Sequence, residues 1–233
     1  MLDNFFSVFS QVVVLFLLMG VGFFCGKKQI LSESSAKALT DVVLYFATPC
    51  MIVKSYIREF KQELLNDMLI SLLISLLIHI GSIILATFMF RKKEKEILRF
   101  ATVFSNAGYM ALPLQQAVLG DMGVFLGASY VAVFNIVLWT YGVVLMQKKG
   151  SISFKKVVLN PGVLSVIVGI IIFVFSIPLP EILTSAITHL SSLNTPLPMI
   201  IIGFYLANAD LKKLLSSKLN YLVCFVRLVL SQP

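Results

Sequence analysis

The sequence predicts an all-α integral membrane protein built from inverted five-helix repeats, the second of them incomplete. Three observations predict it. Apolar residues make up 58% of the chain and charged residues only 13%. The charges gather between long uncharged runs, and the basic ones favour alternate loops. A soluble domain carries about 25% charged residues and has too little polar surface to cover this much apolar side chain.

Residues 4–26, 68–90, 100–120, 122–147, 157–180 and 182–209 each lack Asp, Glu, Lys and Arg, over 23, 23, 21, 26, 24 and 28 positions. A helix needs about 20 apolar residues to cross a bilayer. A further span, 38–57, reaches that length with Asp41 and Lys54 near its ends; it is second in chain order, so 100–120 is the fourth run and 182–209 the seventh. An eighth starts at Leu219, so the expectation is seven spans and part of an eighth. The first run is too long for a signal-peptide core, and no Lys or Arg precedes it.

Net charge is +8, and its placement argues against a surface for nucleic acid. Of 19 basic residues, 15 lie in alternate loops: Lys27, Lys28 and Lys37, then Arg91 to Arg99, then Lys148 to Lys156, then Lys212 to Lys218. Basic residues in short loops favour the cytoplasm, which predicts a multi-pass cell-membrane protein with its N-terminus outside. Cys25, Cys50 and Cys224 form no disulfide framework and no CxxC pair, and no metal or cofactor motif occurs.

A shift of 149 residues aligns Gly20 with Gly169 and Pro49 with Pro198. Five spans precede the second copy, and an odd number reverses its direction. Inverted repeats of this kind are a signature of secondary transporters. The division is 1–147, a first five-helix unit with a broken fourth helix, and 148–233, an incomplete second unit. The counterpart of Asn106 falls near position 255, beyond Pro233, so the chain is expected to end before a full second copy.

The fourth run holds Ser105, Asn106, Gly108 and Pro113 at mid-span. Proline lacks the amide donor and its ring collides with the carbonyl four residues back. Glycine loosens the backbone one turn earlier. The segment is predicted to kink or unwind, and backbone freed at membrane depth must line protein or a watery cavity. A half-helix N-terminus there suits a carboxylate, and an Asn amide adds donors and an acceptor. Asn106, Gly108 and Pro113 are the candidate substrate-binding residues, with Ser105 beside them. A packing kink is the alternative. Thr48 and Pro49 in the second span, and Asn194, Thr195, Pro196 and Pro198 in the seventh, are read as kinks.

At the fourth run the chain resembles the auxin efflux carrier family, which includes bacterial malate and malonate permeases. The residues are Ser105, Asn106, Gly108, Leu112 and Pro113, then Gly120 and Gly123, then Asn135, Trp139, Thr140 and Gly142. The segments LLMGVGFFCGKKQIL, LTDVVLYFATPCMIV and NPGVLSVIVGIII are similar to the family's first, second and sixth helices. The resemblance implies ten helices in two inverted repeats and a scaffold of helices 1, 2, 6 and 7, often dimeric. It also implies a moving domain in which two broken helices cross at the substrate. Asn135, included in that resemblance, is expected to line the same cavity as Asn106, with a hydrogen bond between helices as the alternative.

His79, at the centre of its run, is a candidate for proton coupling, with a neutral inter-helix imidazole as the alternative. The Gly22/Gly26 and Gly123/Gly127 pairs suggest close helix packing. The leading function is a permease for a small organic anion such as malate, malonate or an auxin-like carboxylate. The alternatives are a non-transporting truncated scaffold and a membrane-embedded enzyme. The last lacks HExxH, GxSxG and paired intramembrane carboxylates.

Overall fold

The computed structural model describes residues 2–91, 96–104, 107–146, 159–210, 216 and 218–226. Every regular element among them is helical. Helix α1 (Leu2–Lys27) leads through a turn to α2 (Glu33–Val42), whose Ser32 hydroxyl accepts the Ser35 amide at 3.1 Å. A π-helical turn, Val43–Ala47, joins α2 to α3 (Thr48–Tyr56). Then come α4 (Gln62–Met89), α5 (Glu96–Val103), a second π turn at Ala107–Ala111 and α6 (Leu112–Val137). A third π turn, Leu138–Gly142, leads into α7 (Val143–Met146). The remaining helices are α8 (Pro161–Val174), α9 (Glu181–Ser192), α10 (Pro196–Asn208) and α11 (Lys218–Phe225).

Five helical stretches among the described residues are long and apolar enough to cross a bilayer: Phe6–Lys27, Glu33–Tyr56, Gln62–Met89, Leu112–Met146 and Glu181–Asn208. They carry outward apolar side chains such as Phe16, Leu17, Leu73 and Phe88, the pattern of a lipid-facing surface. The sixth uncharged run gives less helix than its length suggested. Helix α8 has 14 residues, because Asn160 and Pro161 start it late. The Asn160 carboxamide oxygen accepts the Gly162 and Val163 amides at 2.9 and 3.3 Å. At the other end Ser176 adopts φ 47° ahead of Pro178 and Pro180.

The fourth and fifth runs meet at Gly120, which sits at φ 61° and ψ −150°, a conformation open to glycine and strained for any other residue. It folds α6 back on itself. A methyl group on Gly123 would lie 2.5 Å from the Gln115 carbonyl oxygen, and one on Gly127 would press on Leu112 and the Gln115 side chain. The Gly123/Gly127 pair therefore packs one arm of this hairpin against the other.

Two close helix pairs organise the rest. Helix α1 lies on α10, with Gly22 against the Ile200 carbonyl, Gly203 against the Met19 carbonyl and Gly26 against Ala207. Small residues let two backbones approach this closely. Helix α8 lies on α3, where the Tyr56 ring covers Gly169. The 149-residue shift relates these pairings, since it carries the first span to the sixth and the second to the seventh. The main core joins α3, α4, α6 and α8 through Met51, Ile52, Tyr56, Met68, Leu112, Phe125 and Phe173. A smaller one groups Ala86, Val103 and Phe104 with Phe134 and Tyr141.

Candidate functional site

Two π turns have the same cause. Each ends two residues before a proline, Pro49 in α3 and Pro113 in α6. Proline lacks the donor for the carbonyl four residues back and crowds it. Widening the preceding turn by one residue relieves the collision, and the Thr48 amide bonds to Val43 instead. The seventh run breaks outright. Pro196 and Pro198 remove two amide donors, and residues 193–195 close as turns, with Leu193 and Asn194 donating to carbonyls three residues back. Under the 149-residue shift this break coincides with the π turn at Val43–Ala47.

The three irregular segments converge on Asn194, which is fully buried. Its carboxamide oxygen accepts the Thr48 hydroxyl at 2.7 Å. Its amide nitrogen faces the Met51 sulfur at 2.9 Å and the Gly108 carbonyl at 3.4 Å. One amide thus ties the second, seventh and fourth spans together at the points where each departs from α-helix. Beside it Gly108 is half-buried, with nothing among the described residues within 4 Å of where a methyl would sit.

A cavity of about 200 Å³ opens next to this knot. Met51 and Thr195 join it to the knot, and Lys54, Ser55, Gln116, Asp121, Val124, Thr188, Ser191 and Ser192 complete its lining. Arg58 stands behind this lining, bound to two of its members. Its guanidinium donates to the Ser55 carbonyl at 2.8 Å and the Asp121 carbonyl at 3.0 Å. It also faces the Met122 sulfur at 3.6 Å and lies over the Phe125 ring at 4.6 Å. Burial pushes the Arg58 pKa down, while Asp121 and the Tyr56 hydroxyl push it back up. The Tyr56 hydroxyl lies beside Ser129, but neither completes a hydrogen bond of ordinary geometry among the described residues.

The residues singled out from the sequence are distributed as follows. Gly108, Thr48 and Pro49 belong to the Asn194 knot or adjoin it, and Pro113 is buried one turn along. Ser105 and Asn106 lie outside the described residues. Asn135 donates to the Val131 carbonyl at 2.9 Å and rests against Gly162, at the N-terminus of α8. His79 is buried, with Nδ1 at 2.7 Å from the Ser75 carbonyl, which makes Nδ1 the protonated nitrogen. Its Nε2 has no partner among the described residues, and its ring neighbours are Tyr130 and Phe134. Sequence reasoning treated Asn194 as part of a kink and passed over Lys54 and Arg58. The available signal for Asn194 was a polar residue two positions before a proline in an uncharged span.

Comparison with known proteins agrees with this architecture. A family model described as membrane transport protein matches residues 7–153 and 150–233. An uncharacterized transporter of Methanocaldococcus jannaschii is 25% identical over 217 residues, which cover 86% of this chain and 70% of the relative. With nearly every residue matched and apolar spans broken at a shared polar knot, the chain belongs to the membrane transport protein family, the auxin efflux carrier-like group that its fourth span resembles.

Proposed function

We propose that the protein is a secondary carrier for small organic anions, with the substrate held beside the break in the fourth span. The observation that carries this function is the meeting of three helix interruptions at Asn194, with open space at Gly108 among the described residues. Irregular backbone at membrane depth is stable only where protein or a watery cavity meets it, and here it meets Asn194, whose partner Met51 lines the cavity. The amides that open α6 after Ala111 carry partial positive charge, which suits a carboxylate. The related pairings of α1 with α10 and of α8 with α3 favour an inverted repeat.

Uptake of labelled malonate or malate into proteoliposomes tests this function. Gly108→Val adds bulk where the protein leaves room, so it should fold normally. It is expected to cut uptake at least about tenfold, and Asn106→Ala should do the same. Unchanged uptake with both variants would remove the fourth-span break from the transport path.

The distribution of basic loops supports an N-terminus outside the cell membrane. Glu181→Cys should then react with an impermeant thiol reagent on intact cells, and Lys93→Cys should react only after permeabilisation. The opposite pattern would invert the orientation.

A further inference from the structure

We propose that the cavity beside Asn194 is a capture site for a small carboxylate, with Lys54 as its counter-charge. Two cationic residues stand near this cavity, and their geometry separates their roles. The Arg58 guanidinium is occupied by the Ser55 and Asp121 carbonyls, the Met122 sulfur and the Phe125 ring. It fastens the end of the second span to the hairpin tip beside Gly120, through Asp121 and Met122. Lys54 lines the cavity itself.

Charge supports an anion. Asp121 lines the same cavity and interacts electrostatically with Arg58. Those two charges offset each other, so Lys54 leaves the site net positive. The hydroxyl protons of Ser55, Ser191 and Ser192 go to carbonyls of their own helices. Donors for a ligand therefore come from the Lys54 ammonium and the Gln116 amide, with the Thr188 and Thr195 hydroxyls nearby. A volume of about 200 Å³ holds a molecule of a few carbon atoms with its water. Met51 is both a wall of the cavity and a partner of Asn194, so a captured anion sits one side chain from the helix breaks.

The site rests on the carrier function as its purpose, but its charge can be measured without transport. The three native cysteines are replaced by Ala and Thr188→Cys is introduced. The purified full chain, in uncharged detergent, is then reacted with an anionic sulfonate-bearing and a cationic trimethylammonium-bearing methanethiosulfonate reagent. The ratio of anionic to cationic rates, relative to that of free cysteine, reports the local potential.

Lys54→Gln is expected to lower this ratio roughly fivefold or more, since one unit charge at close range acts oppositely on the two reagents. Lys54→Arg should preserve it, and 1 M salt should flatten it. Thr184→Cys, one turn earlier on α9, should show no dependence on residue 54 and serves as the check on folding. A ratio that favours the cation, or that Lys54→Gln leaves unchanged, would overturn the capture site. Absent uptake with an intact Lys54-dependent ratio would count against the carrier function and leave the anion site standing.

Discussion

Asn194→Leu is expected to lower thermal stability markedly and to reduce anion uptake at least tenfold. The two side chains are similar in size, so the variant removes polarity more than volume. It leaves the Thr48 hydroxyl without its 2.7 Å acceptor and takes the donor from the Met51 sulfur and the Gly108 carbonyl. A buried polar group left unpaired costs about 1–3 kcal/mol. Measured side-chain hydrogen bonds in a membrane interior average about 0.6 kcal/mol each, and this residue makes more than one.

Asn194→Asp separates the two halves of the knot. It keeps an acceptor for Thr48 and deletes the donor to Gly108. If the link to the fourth span matters for transport, Asp should fail in uptake even where much of the stability survives. Melting curves in detergent and uptake in proteoliposomes, both unchanged for Leu, would show that the knot holds nothing together.

Gly22→Val should be more damaging still, and Gly20→Val should be close to silent. Both sit in α1, two residues apart, and the exchange changes intrinsic helix propensity equally at the two positions. A side chain at Gly22 would overlap the Ile200 carbonyl of α10, whereas at Gly20 it meets nothing within 4 Å among the described residues. A backbone carbonyl has no rotamer by which to retreat, so the two helices must separate. Overpacking of this kind costs about 1–3 kcal/mol in ordinary cores, and a helix seam held by close backbone approach has little else to offset it. Gel filtration of tagged protein before and after heating measures the effect. Equal behaviour of the two variants would mean that α1 and α10 do not form this seam in the membrane.

Much of this molecule was legible before any coordinates. Composition alone placed it in a bilayer, because apolar runs free of charge have one solvent that suits them. The proline rule located the irregular segments at Pro49, Pro113 and Pro196, since a missing amide acts within its own turn. Gly120 entered only through the family resemblance, and its positive φ emerged with the fold of α6. Other features resisted. The 24-residue run at 157–180 gave a 14-residue helix, because Asn160 caps and starts it locally while the run's length reflects hydropathy alone. Asn135 was expected at the cavity through resemblance, and its described partners are Val131 and Gly162.

By itself the sequence determined that this chain is helical, membrane-embedded and interrupted at named prolines. Each of those properties depends on a residue and its near neighbours along the chain. Only the tertiary structure decided that the interruptions meet, that Asn194 bonds across 146 positions to Thr48, and that Lys54 rather than Arg58 faces the cavity. Those outcomes depend on how packed helices place side chains distant in sequence, and no local periodicity encodes that placement.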